Sequence, residues 1–447
     1  MTIQVSPEHT ASSQAAAIRE AYLAQLLKLA QGTEAVVSDR LPELRSQAAA
    51  LVQEQTFPTT RNEEWRYTDL SPLLQVELAV GDHSLTVSPE AVQAFALPEA
   101  AASRLVFVNG VYAPELSAIA NLPANIFVGN LAALPEELKA RSQNYLAKQP
   151  GAEEVFTALN TAGLSDAAVV WISKNQEVET PIHLLFVSTA SDRPVLSQPR
   201  CLVVAETGSS VTLVEDYATV GEDVYLTNPV TEIWVEQNAQ VSHTRVQRDS
   251  QNAFHIGKTA VSQARDSRYT CNAVSFGAKL SRHNLEVFQT GEQTETNLNG
   301  LTLVGGDQLG DTHSTIAYTK PYGSSRQLHK IIVDDQARSV FNGKVFVPKL
   351  AQLTDAGQLN RNLLLSPKAR VDTKPQLEIT ADNVKCSHGA TVGQIDPDEI
   401  FYLQSRGLDQ GSARQLLVYA FAIEIIDQIP VASVRDRLSQ LVKQRAF

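Results

Sequence analysis

The chain is short of sulfur. Of its 447 residues only three are cysteines and one is a methionine. Cys201, Cys271 and Cys386 lie far apart and no CxxC occurs, so neither a disulfide framework nor a self-sufficient zinc or cluster site is encoded. A reducing compartment is the simplest setting for such a chain. Positive charge is scarce as well, with 37 Lys and Arg against 49 Asp and Glu and a net charge of -12. Phosphate neutralisation needs clustered cations, so a general nucleic-acid binder is excluded. Long apolar runs are missing too. The most apolar stretch, LLVYAFAIEII at 416–426, contains Glu424 and falls well short of the roughly 20 residues that span a bilayer. The N-terminus, MTIQVSPEHTASSQAAAIREAYLAQLL, lacks a basic region followed by an apolar core, so no signal peptide is read and a cytoplasmic protein without membrane or nucleic-acid partners is expected. No GxxxxGK[ST] stretch occurs, so ATP hydrolysis is not expected of this chain.

What is present is an ordinary globular balance, 43% apolar and 19% charged, with ample material for a core. The length implies two or three units or a repeat architecture. Residues 11–56 read as helical, with Ile18, Tyr22, Leu26 and Leu29 on one stripe and a second helix after Asp39-Arg40-Leu41-Pro42. Short strands and helices mix as far as residue 160, and Asn109-Gly110 between LVFV and VY reads as a tight hairpin turn. From 161 to 393 short alternating runs follow one another with little helical period, so this region is mostly strand. The last unit, 394–447, is helical again. Asp396-Pro397 opens its first helix, Gly407 closes it, and SARQLLVYAFAIEIIDQI runs on to Pro430.

Inside the strand region a polar pattern returns: ETGSSV at 206, EQNAQV at 236, SQARDS at 262, EQTETN at 292 and DQARSV at 335. Recurrence at 20–50 residues is what a solenoid produces, because each rung buries its apolar face only against the next. A mainly β fold built on a parallel β-helix is expected, with a sandwich as the competitor.

Chemistry is concentrated late, in KCSHGATVG at 385–393. If this stretch is a strand, Cys386 and His388 project from one face, about 7 Å apart at their backbones, and can grip the same metal or cluster. They are two ligands only, and free cysteines are most often small buried hydrophobes. Cys386 activated by His388 as a nucleophile, with Asp382 or Asp396 as orienting group, is a further option. Asp334-Asp335, with Asp311 and Glu286, invites comparison with β-helix carbohydrate-active enzymes, although neighbouring strand residues face opposite ways. His243, His255, His283, His313 and His329 show no metal spacing and read as structural. Gly300 and Gly305-Gly306 read as turn residues. The apolar side chains of 411–429 wrap most of the helix circumference, which suits burial on more than one side, against neighbouring helices or a second protein.

RNEEWRYTDL at 61–70, the long strand-rich middle, and KCSHGATVGQIDPDEIFYLQSRGL followed by ARQLLVYAFAIEII resemble the SufB/SufD family of iron–sulfur cluster assembly proteins over nearly the whole length. Three cysteines, and CSHGATVG in place of a His-Glu-Ala-Thr-type ending, put the likeness on the SufD branch. The resemblance implies a right-handed parallel β-helix core flanked by an N-terminal helical region and a C-terminal helical domain. It also implies a noncatalytic scaffold subunit that pairs with SufB through the β-helix and holds the SufC ATPase on its C-terminal helices, where Phe401, Tyr402, Arg406, Leu416, Leu417, Phe421 and Ile425 would make the contact. His388, and Cys386 beside it, would help hold a transient iron–sulfur cluster shared with SufB, the partner supplying the missing ligands. A neutral imidazole in place of a thiolate holds a cluster less firmly, which suits a scaffold that must release it. The family is further associated with reduced FAD at the level of the complex, although no dinucleotide fingerprint occurs here. Self-pairing of the isolated chain, and a purely architectural subunit that never touches iron, are the alternatives.

Overall fold

The computed structural model describes residues 7–32, 41–80, 87–120, 122–123, 125–189 and 193–445, so Asp39 and Arg40 of the expected helix start lie outside the described residues. From Ala168 to Gln394 the chain alternates between two parallel sheets and winds a solenoid of about 7 turns. The core between the sheets is built as columns. Val170, Val203, Ile233, Val261, Val287, Ile316 and Val345 stand in register on seven successive strands of one sheet, all fully buried. β-Branched side chains suit a pleated, buried surface, and each contributes roughly 1.5–3 kcal/mol by leaving water. A single rung could not bury this row. Stacking does.

The polar repeats mark corners. Asn175, Gly208, Asn238, Asp266, Gln293, Tyr322 and Leu353 all have positive φ, and each donates its backbone N–H to a carbonyl of the next turn. Asp335 also has positive φ but sits at the opposite corner with Ala278 and Gly306. DQARSV therefore belongs to a second ladder, which is why its step of 43 residues breaks the spacing of the other four. Asn109 and Gly110 form the expected hairpin turn, with φ of 48 and 85 and the pair Val108–Val111 closing it.

Helices cover both outer faces. α1 (Pro7–Gln31), α2 (Leu41–Glu54) and α5 (Val155–Ala162) pack on the outer side of one sheet, where Tyr22, Leu26, Val52, Phe57, Trp65 and Phe156 meet Leu226, Phe254 and Leu280. Ile18 departs from the expected stripe and is 52% exposed, because Leu23, Leu27 and Ala30 take the buried face. The short helices α3 (Pro89–Gln93) and α4 (Glu136–Ser142) fill the mixed region between. Within that region Ser103–Val108 and Ile126–Asn130 already join the two sheets.

α6 (Pro397–Ser405), α7 (Gln410–Ile426) and α8 (Ala432–Arg445) follow the last strand. Asp396 caps α6 by accepting from the Asp398 N–H, and Gly407 takes the left-handed conformation just beyond it, as the sequence suggests. α7 and α8 bury Val418, Ala422, Ile425, Ile426, Val434 and Leu438 on the outer side of the other sheet, against Val246, Phe276, Leu301 and Ile332. α6 buries no residue.

Candidate functional site

The last two strands, Arg370–Ile379 and Lys385–Gln394, each end their sheet. Their inward side chains stack on the rung below and have no rung above. Cys386 ends the column Val211, Val241, Tyr269, Thr296, Ser325, Ala356 and packs half-buried against the lumen core. His388 ends the neighbouring column Leu213, His243, Cys271, Leu298, Gln327, Gln358. All six residues beneath it are buried, whereas His388 is exposed. The two candidate ligands thus share the inward face at the open end of the solenoid, as the period of a strand requires.

Burial pushes the Cys386 thiol up, more than its contact with the Ala356 backbone pulls it down. That environment favours thiol over thiolate and argues against a nucleophile. Asp396, one of the two carboxylates expected to orient such a pair, is occupied as the cap of α6. Among the described residues no three His, Cys, Asp or Glu side chains converge to hold a metal ion.

The acidic groups do not gather. Asp335 accepts from the Gly306 N–H at a corner, Asp334 lies 3.9 Å from Arg414, and Glu286 pairs with Lys258 at 2.9 Å. Asp311 faces outward from the sheet and is buried under the N-terminal region, so these carboxylates form no paired centre for glycoside cleavage. Gly305-Gly306 turns into the strand Leu309–Tyr318 and offers no helix N-terminus for a flavin pyrophosphate, so nothing at this point of the chain fits FAD. His243, His255, His283, His313 and His329, the five strand-region histidines read as structural, are each hydrogen-bonded. His243 lies 2.9 Å from Glu215 and 3.0 Å from Tyr269, and His255 lies 2.9 Å from Asp249. His283 meets Thr259 at 3.0 Å, His329 meets Thr302 at 3.2 Å, and His313 meets Glu64 at 3.3 Å and lies 3.1 Å from Asp311. Burial disfavours charge on His243, but its hydrogen bonds with Cys271 and Glu215 prevail and raise it to about 9.

One cluster escaped sequence reasoning. The segment 61–70 crosses the outer face of one sheet toward the open end. Arg282 lies 3.9 Å from the centre of the Trp65 ring and donates to Asp311 and to the Glu64 carbonyl, both at 2.7 Å. Thr68 donates to Asp311 at 2.5 Å, and Lys374, on the end strand, donates to Glu63 at 2.7 Å. Burial alone would raise the Asp311 carboxyl, yet the charges of His313 and Arg282 hold it down at about 2. Only the motif RNEEWRYTDL signalled this cluster; its partners lie more than 200 residues away in sequence.

A second surface lies between α6 and α7. Tyr402, Leu403, Leu416, Leu417 and Ala420 line a mostly apolar groove rimmed by Asp398 and Glu399. Phe401 and Tyr402 are 71% and 57% exposed, and Arg406 stacks over the Tyr402 ring. Two of the expected contact residues are taken up inside the chain. Ile425 is fully buried against the solenoid, and Phe421 packs against the same core with the Lys330 ammonium 4.4 Å from its ring centre.

The family model described as the SUF system FeS cluster assembly, SufBD core domain, matches residues 186–421, and the SufBD protein N-terminal region matches 17–184. The iron–sulfur cluster assembly SufBD family protein slr0076 of Synechocystis is 49% identical, covering 94% of this chain and 93% of its own. Protein ABCI7, chloroplastic, of Arabidopsis thaliana is 35% identical over 94% of this chain and 90% of its own. The iron–sulfur cluster assembly protein SufD of Escherichia coli is 31% identical over 92% of this chain and 94% of its own.

Proposed function

The chain belongs to the SufB/SufD family of iron–sulfur cluster assembly proteins, and from that premise we propose that it is a noncatalytic scaffold subunit whose open solenoid end pairs with SufB. In this reading the nascent cluster is cargo held at the seam, with His388 as one ligand, Cys386 beside it, and SufB supplying the rest. The observation that carries it is the contrast within one column: six buried residues and then an exposed imidazole on a strand with a free edge. An unpaired edge is a template for another chain, and the ligand set here is incomplete in a way a second chain could complete. The groove between α6 and α7 is the docking surface for SufC. It is apolar at its centre and acidic at its rim, and α6 has no packing role inside the chain that would account for its exposed aromatics. Nucleotide-driven movement of SufC would pull on α7, which Lys330 ties to the solenoid through the Phe421 carbonyl at 2.9 Å and through Glu424.

The test is co-expression with SufB and SufC, followed by purification and iron analysis. His388→Ala lowers the iron and sulfide that accompany the complex while leaving its three proteins together. An undiminished iron content would leave the purely architectural role as the correct one.

A further inference from the structure

The side chain of Gln358 lies in the lumen directly beneath His388. The two are register partners on neighbouring parallel strands, whose spacing is about 4.8 Å. Gln358 is only 3% exposed. Its Nε2 donates to Gln327 Oε1 at 2.9 Å, and Gln327 Nε2 donates to Ser314 Oγ on the opposite sheet at 2.7 Å. Gln327 offers its oxygen, Gln358 turns its nitrogen toward it, and Gln358 Oε1 is left buried with no donor. Gly343 faces the amide from the other sheet, and a Cβ there would come within 2.4 Å of the Gln358 nitrogen. The amide therefore sits in a fitted place with one acceptor unused.

A buried carbonyl without a donor has given up its hydrogen bonds to water with nothing in return. His388 is next in the same column, and a neutral imidazole has one N–H to give and one lone pair to offer. We propose that Gln358 is the positioning residue for His388: when the ring turns down onto the column, Gln358 Oε1 accepts the N–H of one ring nitrogen, so that the other nitrogen presents its lone pair to the open end of the solenoid. The contact fixes both the tautomer and the plane of the ring, which outer partners of metal-binding histidines commonly do. It also gives the buried oxygen its missing donor. The purpose of this arrangement rests on His388 being a ligand; the hydrogen bond itself does not.

The test reads the ring directly. The full chain is labelled with isotope-enriched histidine, the His388 signal is identified by its loss in His388→Ala, and the tautomer is read by NMR from the ring nitrogens. In the native chain His388 holds a single tautomer. Gln358→Met, which keeps length without an acceptor, converts it to the mixture of a solvent-exposed imidazole. An unchanged His388 signal in folded Gln358→Met overturns the proposal. If that variant does not fold, Gln358→Asn, one methylene too short to reach, is read in the same way. In the complex with SufB and SufC, loss of an outer partner weakens metal holding by about 10–100-fold, so Gln358→Met should release iron to a chelator faster than wild type. A changed tautomer with full iron retention in both Gln358→Met and His388→Ala would uphold the positioning role and overturn the cluster reading instead.

Discussion

Arg282 shows how much a single side chain carries in this fold. It is buried, stacks on Trp65, and neutralises Asp311 beneath the N-terminal segment. Removing it as Arg282→Ala leaves a carboxylate in the dark without its guanidinium, which costs about 3–5 kcal/mol for buried pairs of this kind. Urea denaturation of the variant checks this, and a loss below 1 kcal/mol would show that His313 and Thr68 suffice. The same site makes a pH prediction. The Asp311 carboxyl ionises near 2 in the folded chain against an ordinary 3.8, so the unfolded chain takes up the proton first. Its stabilisation, on the order of 2 kcal/mol, is complete above 3.8 and is lost as pH falls from there toward 2. Asp311→Asn should flatten the stability profile in that window relative to wild type. In the sequence Arg282, Asp311 and Trp65 are unrelated letters. Their adjacency comes from two rungs in register and a segment folded over them, and no local pattern encodes it.

At the scale of elements, α7 tests whether sequence can tell a core face from a docking face. Its far end is legible, because Pro430 is a strong local signal, but its apolar residues surround the axis and do not say which side meets what. The solenoid decides: Ile425 goes inward and Leu416, 45% exposed, looks out over the groove. Two substitutions therefore part company. Ile425→Ala should lower stability by about 2–5 kcal/mol through the cavity it leaves, read by thermal or urea unfolding. Leu416→Asp should leave stability within about 0.5 kcal/mol yet abolish co-purification of SufC; retention of SufC would move the docking surface elsewhere. The corner ladders teach the same lesson. Polar repeats announce that turns recur, but DQARSV could be assigned to its own corner only once the sheets were traced.

The whole molecule is a stack with unequal ends. One end is covered by the N-terminal region; the other stops at Lys385–Gln394. In a solenoid each rung is stabilised by its neighbours, so a terminal rung with one neighbour opens most readily. Hydrogen exchange should find the amides of Lys385–Gln394 less protected than those of Leu309–Tyr318 in the isolated chain, and protected on pairing with SufB. Equal protection in the isolated chain would mean that the end is already closed. From the sequence alone followed the strand-rich middle, its repeat, the helical flanks with their caps and breakers, and the shared face of Cys386 and His388. All of these depend on periods of two to thirty residues, which local sterics and hydrophobic alternation write into neighbouring letters. The tertiary structure alone decided that His388 crowns a buried column above Gln358, that Arg282 is covered by Trp65, and that Ile425 is core. Each of these depends on which rung lies over which, and register is fixed by the summed packing of the whole stack rather than by any one stretch of it.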